Sequence, residues 1–122
     1  MAASAILVVD DDHDTCATLS DIISDLGYRV GVAYDGPAAL ALSRRQPYRL
    51  ALLDYLMPGR DGLELYGRLK QVWADRVGVL GTAADADATI RAAVRAGIRR
   101  VLPKPVDFGH LIPLIEKVAG TL

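Results

Sequence analysis

The 122-residue chain has a single cysteine, Cys16. It can form no internal disulfide, as expected in a reducing compartment. Neither sign of charge prevails: 14 Lys and Arg stand against 15 Asp and Glu, for a net charge of −1. That balance argues against direct binding to nucleic acid or to an anionic membrane. No apolar run approaches the roughly 20 residues that a bilayer span needs. The first residues, MAAS, lack the basic start and apolar stretch of a secretory signal. A cytoplasmic protein, not membrane-bound, is the expectation. Repeats, linkers and low-complexity tracts are missing too, so residues 1–122 read as one domain. At 52% hydrophobic and 24% charged, the composition is that of a folded protein.

What is present is an alternation. Short apolar runs at Ala5 to Val9, Arg29 to Tyr34, Leu50 to Asp54, Val77 to Thr82 and Arg99 to Leu102 read as strands, several of them continuous enough in apolar residues to be buried on both faces. Helical patterns separate them. Thr15 to Leu26 sets Cys16, Leu19, Ile22, Ile23 and Leu26 on one stripe, with Gly27 just past its end. Asp35-Gly36-Pro37 starts a second helix, and Asp61-Gly62 a third that runs to about Trp73. Asp85 caps a fourth, on which Ile90, Ala93, Val94 and Gly97 share one face while Arg91 and Arg95 point outward. Asp107 is a cap candidate for a fifth. Pro113 would fall well inside a helix capped there, at a cost of about 3 kcal/mol. The last helix is therefore expected to start late, near Gly109 or His110, or to kink at Pro113.

Five strand–helix units predict an α/β three-layer sandwich around a parallel sheet. Strand order 2-1-3-4-5 is the simplest doubly wound arrangement, with its switch point between the first and third strands. Ligands in such folds bind at the carboxyl ends of the strands, near that point.

The polar residues fall at those ends. The first strand runs into Asp10-Asp11-Asp12, the third ends in Asp54, the fourth in Thr82, and the fifth leads to Lys104. Acids meeting there repel: two unit charges ~4 Å apart cost about 4 kcal/mol at an effective dielectric of 20. Lys104 alone is too little positive charge. Either one acid is protonated or a divalent cation is bound. An all-oxygen site with few protein ligands suits Mg²⁺, or Mn²⁺. A carboxylate beside such a cation, a lysine and a hydroxyl is a plausible nucleophile for phosphoryl transfer.

Four motifs, ILVVDDD (Ile6 to Asp12), LLDYLMPGRDG (Leu52 to Gly62), GTAA (Gly81 to Ala84) and LPKPVD (Leu102 to Asp107), stand in order. With them the chain strongly resembles the receiver domain of bacterial two-component response regulators, over essentially its whole length and with a flavodoxin-like fold. The resemblance implies that Asp54 is the phosphoacceptor, taking a phosphoryl group from a histidine kinase or a histidine phosphotransfer domain. Asp11 would ligate Mg²⁺ directly and Asp10 through a water. Asp54 and the backbone carbonyl of Leu56 would complete the protein ligands. Thr82 and Lys104 would contact phosphoryl oxygens. The Lys104–Pro105 bond resembles the family's cis peptide.

Three positions depart from the common pattern of that family. Val101 stands where a switching Tyr or Phe is usual, so activation would depend on movement around Thr82 to Asp85. Leu56 and Ala84, which would flank the phosphoryl group, cannot hydrogen-bond water; slow hydrolysis is implied. Among the remaining polar residues, Asp12 reads as a helix cap and His13 as a solvated first-turn residue. Cys16 reads as packing and Trp73 as a half-buried anchor. Arg99 and Arg100 guard an edge strand or, with Arg91 and Arg95, form a partner surface. Tyr55 has no assignable role.

Rival functions fit less well. An Asp-nucleophile phosphohydrolase of the haloacid dehalogenase type carries a second Asp where this chain has Leu56. A nucleotide- or flavin-binding module needs a phosphate-cradling loop after the first strand, where Asp10-Asp11-Asp12 would repel phosphate. The expectation is a signalling module that modifies only itself and acts through protein contacts. A stand-alone receiver, part of a longer regulator or hybrid kinase, and a homodimer all stay open.

Overall fold

The computed structural model describes residues 5–54, 56–57, 60–72, 77–82, 87–104 and 106–119. The elements are β1 (Ala5–Val9), α1 (His13–Asp25), β2 (Arg29–Ala33), α2 (Gly36–Arg45), β3 (Leu50–Asp54), β4 (Leu56–Met57), β5 (Arg60–Asp61), α3 (Gly62–Val72), β6 (Val77–Thr82), α4 (Asp87–Ala96), β7 (Arg100–Pro103) and α5 (Phe108–Ala119). The main sheet has five strands in the order β2-β1-β3-β6-β7, paired in parallel throughout. Counted along that sheet, this is the expected 2-1-3-4-5 order. The pair β4–β5 forms a small antiparallel ladder, Leu56 opposite Asp61 and Met57 opposite Arg60.

Burial follows the pleat. In β1 every residue is buried, but alternate side chains enter different cores. Leu7 and Val9 join Leu53, Leu80, Leu65 and Leu69 on the side covered by α2, α3 and α4. Ile6 and Val8 join Leu52, Val79, Ile23 and Ile115 on the side covered by α1 and α5. Truncating one of these fully buried leucines to alanine would cost about 3 kcal/mol. The apolar continuity of the strands is therefore a consequence of two cores sharing one sheet.

Local chemistry sets the helix ends. Asp12 caps α1, its carboxylate accepting from the Asp14 amide at 3.1 Å and the Thr15 hydroxyl at 2.9 Å. Asp35 caps α2 by accepting from the Ala38 amide at 2.8 Å. Gly27 and Gly97 follow α1 and α4 with φ of 100° and 91°, conformations that suit glycine.

Two expectations meet differences. Of the two alternatives for the fifth helix, a late start or a kink at Pro113, the late start does not occur. Asp107 accepts from the Gly109 amide at 2.8 Å, and α5 runs from Phe108 through Pro113 to Ala119. Pro113 and Gly109 are both exposed, so the carbonyl deprived of its partner can turn to water. The face of α4 is also different. Ala93 is fully buried and Thr89 nearly so, whereas Ile90 and Val94 are 43% and 66% exposed, and Gly97 is exposed. Arg91 and Arg95 do point outward. Tyr66 of α3 packs beside the end of α4. Its buried ring lies where a Cβ on Gly78 would be, and its hydroxyl donates to the Gly97 carbonyl at 3.3 Å.

Candidate functional site

Parallel register brings the strand ends level. Val9 pairs with Leu53, Asp54 with Gly81, and Thr82 with Pro103. Asp10, one residue beyond β1, donates its amide to the Ala33 carbonyl of β2 at 3.1 Å. Lys104, one residue beyond β7, donates its amide to the Thr82 carbonyl at 3.0 Å. Asp10, Asp54, Thr82 and Lys104 thus gather at one end of the sheet because each lies at or just past the end of its own strand.

Lys104 ties two acids together. Its Nζ lies 3.0 Å from Asp10 Oδ2 and 3.0 Å from Asp54 Oδ1. Asp10 is nearly buried, and its other oxygen accepts from the Asp12 amide at 2.9 Å. Asp54 is 11% exposed at the side chain. Burial pushes its carboxyl above the ordinary value, Lys104 pulls it back through a hydrogen bond, and the charges of Asp10 and Asp11 add to the rise. Burial lowers the Lys104 ammonium, but its bonds to Asp54 and Asp10 outweigh that and hold it above the ordinary lysine value. One cation serves at least two carboxylates, so the site keeps an excess of negative charge.

Asp11 is exposed, yet it offers a carboxylate oxygen within 4.8 Å of oxygens from Asp10 and Asp54. Such an all-oxygen group, short of positive charge and open on one side, fits a small divalent cation. Thr82 is buried at the end of β6 beside this group. A cavity of about 40 Å³ lies beneath, lined in part by Asp10, Asp54, Gly81 and Lys104. A larger groove of about 590 Å³ opens from Lys104 along α1, between Thr15, Thr18 and Leu19 on one side and Val106 and Phe108 on the other.

Other readings of the sequence meet the structure as follows. Leu56 lies in β4, one residue beyond the Tyr55 that follows Asp54. Val101 is half-buried against the core under α3 and α4. Asp12 is a cap, as read, and its carboxyl sits below the ordinary value chiefly through the Thr15 hydrogen bond. Cys16 is buried packing, its thiol donating to the Asp10 carbonyl at 3.3 Å. Arg99 and Arg100 are exposed at an edge strand. Tyr55, Trp73, Ala84, Asp85 and Pro105 lie outside the described residues.

His13 is a solvated first-turn residue, as expected, and two further features arise from tertiary contacts. His13 is exposed but stacked on Tyr34, with ring centroids 3.7 Å apart and planes 12° from parallel. Nothing in the spacing of residues 13 and 34 signals this; only the pairing of β1 with β2 brings them together. Gly62 also has a site role. A Cβ there would collide with the Asp54 carbonyl and come within 2.9 Å of Leu80 Cδ1. Its lack of a side chain lets α3 start against the end of β3, and the Asp61-Gly62 pair was the available signal.

Residues 6–116 match the response regulator receiver domain family. The chain belongs to that family. Receiver domains are signalling modules of two-component systems rather than metabolic enzymes. A response regulator receiver protein of Anaeromyxobacter sp. is 37% identical over 108 residues, 88% of this chain. The chain spans only 45% of that relative's length. Among solved structures, a CheY-like receiver domain protein from Methanospirillum hungatei superimposes with a TM-score of 0.90 over 97% of this chain and 94% of its own, at 24% identity, and so shares the fold. A Burkholderia pseudomallei response regulator, described with a phosphorylated aspartic acid, a calcium ion and citrate, is 25% identical. Its TM-score is 0.85, over 95% of this chain and 68% of that one. Among the described residues, no helix of this receiver domain is long and apolar enough to cross a membrane.

Proposed function

We propose that this receiver domain accepts a phosphoryl group on Asp54 from a phosphohistidine of a histidine kinase or phosphotransfer protein, and signals through protein contacts. The observation that carries the reading is the position of Lys104, 3.0 Å from both Asp10 and Asp54, with an Asp11 oxygen close to theirs. An acid partly buried at a strand end, its carboxyl raised by burial and a cation beside it, is the kind of group found at functional sites. The Burkholderia relative, with its phosphorylated aspartate and its divalent cation, supports the same chemistry.

In the transfer, an Asp54 oxygen forms the new bond to phosphorus while the phosphorus–nitrogen bond of the donor breaks and the imidazole leaves. Lys104 would follow the incoming charge, exchanging one carboxylate contact for a phosphoryl oxygen. The Thr82 hydroxyl would donate to another. Asp11, Asp10 through a water, Asp54 and the Leu56 carbonyl would hold Mg²⁺. Bound there, Mg²⁺ would supply charge stabilisation for the phosphoryl oxygens. The groove between α1 and α5 opens at Lys104 and offers the donor protein an apolar place to lie.

This reading places the domain in the bacterial cytoplasm, with residues 1–122 as a single receiver unit. Intact mass after incubation with acetyl phosphate and Mg²⁺ tests it. A single phosphoryl adduct on the wild type, removed by Asp54→Ala, is expected. No adduct, or an adduct that survives the substitution, overturns it.

A further inference from the structure

Arg99 and Arg100 are exposed ahead of and at the start of the edge strand β7, and the phosphoryl site uses neither. The fold sets them near Arg49, which precedes β3, and Lys117 in the last turn of α5. Among the described residues, none of these four cations has a carboxylate within ion-pairing distance. Arg49 donates Nε to the Val118 carbonyl at 3.3 Å, which holds its head against the end of α5. Two depressions of about 290 and 280 Å³ run between these side chains and share Arg99 and Lys117. Together they follow α5 from Gly109 to Val118, about 14 Å at 1.5 Å per residue.

Cations gathered with no acid paired to them among the described residues repel one another, in a chain whose net charge is −1. An external anion would relieve that repulsion. We propose that this basic trough docks an extended acidic segment of a partner protein. At about 3.3 Å per residue, roughly four residues would lie along it. Their carboxylates would face Arg99, Arg100 and Lys117, the arginines offering two-pronged hydrogen bonds.

The shape favours this occupant over others. A free phosphate would use one spot of a trough this long. Among the described residues, a nucleic acid strand would find no Phe, Tyr or Trp along it to stack on. A second copy presenting the same face would set cations against cations. The arginines of the trough lie at the opposite end of the strands from Asp54 and Lys104, and the trough shares no lining residue with the Lys104 cavities. Docking there does not depend on phosphorylation, so the proposal stands or falls separately from the assignment of Asp54.

Fluorescence anisotropy with fluorescein-labelled octaglutamate at low salt tests it on the full chain. Saturable binding that weakens with added salt is expected. Arg99→Ser/Arg100→Ser should weaken it about tenfold, and Lys117→Ser a few-fold. Arg44→Ser/Arg45→Ser removes the same charge from the exposed last turn of α2 and should leave it within about twofold. Amide shifts should centre on Arg49, Val77, Arg99 and Lys117. Absence of saturable binding, equal weakening by both double variants, or tighter binding of tripolyphosphate or octathymidylate at the same amides overturns the proposal. So does concentration-dependent self-association that Arg99→Ser/Arg100→Ser abolishes.

Discussion

The Lys104 ammonium lies 3.0 Å from Asp54 Oδ1, and that single contact joins the strand-end acid to the loop after β7. It does not fully offset the burial of Asp54, whose carboxyl stays above its ordinary value. In the folded chain Asp54 therefore holds its proton more tightly than in the unfolded one. Its favourable contribution is complete below the ordinary carboxylate value of 3.8 and is lost as pH rises through the folded value. Lys104 behaves differently: its contribution is in place below 10.5 and is lost only as pH rises through its raised folded value. Asp54→Asn is expected to stabilise the protein at pH 7 by about 1 kcal/mol, with the gain narrowing from pH 7 toward pH 4. Lys104→Met is expected to destabilise it by ~2 kcal/mol at pH 7. Urea melts of the two variants over that pH range check both signs.

Cation binding should appear as stability. At Mg²⁺ ten times its dissociation constant, the folded state gains about 1.4 kcal/mol by mass action. Thermal melts of the wild type should rise with added Mg²⁺, and those of Asp11→Asn should rise much less. An equal rise in both would remove Asp11 from the ligand set.

Leu56 is proposed to give attacking water no hydrogen-bonding handle beside the phosphoryl group. Leu56→Asn is then expected to shorten the life of the aspartyl phosphate about tenfold, a change of ~1.4 kcal/mol in the barrier. Timing phosphate release after removal of the donor measures it, and an unchanged rate counts against the role.

Val101 cannot act as an aromatic rotamer switch. The response to phosphorylation is expected instead in the backbone from Thr82 toward α4. Amide shifts on addition of a beryllofluoride phosphoryl mimic should be large at Thr82 and through residues 83–88. A loop that stays unshifted while the mimic binds would refute this.

Pro113 lies inside α5 with its ring exposed. Pro113→Ala restores a backbone donor and removes a steric clash, so it is expected to stabilise the fold by about 1–3 kcal/mol. A higher urea midpoint with an unchanged slope would show it.

The sequence by itself determined the elements and the chemistry of their ends. The apolar runs at Ala5 to Val9 and Leu50 to Asp54 had to be strands covered on both faces, because no half-solvated strand is apolar throughout. Asp12, Asp35 and Asp107 could be read as caps because a cap is a contact between residues two or three positions apart, which spacing alone specifies. Acids at the ends of the first and third strands could be assigned to one site because parallel order sets those ends side by side.

Tertiary structure decided what depends on shape across the fold. Ile90 and Val94 look like core residues by period, yet Thr89 and Ala93 are the side chains of α4 that are buried, and the buried Tyr66 of α3 bonds to the turn that follows it. Pro113 looks like a break, yet its place on the exposed side of α5 lets the helix continue. Lys104 could be assigned to the site from its position, but its equal reach to Asp10 and Asp54 follows from the register of β7 on β6. Periodicity ranks the faces of an isolated helix; only the volume left by neighbouring side chains settles which face is buried.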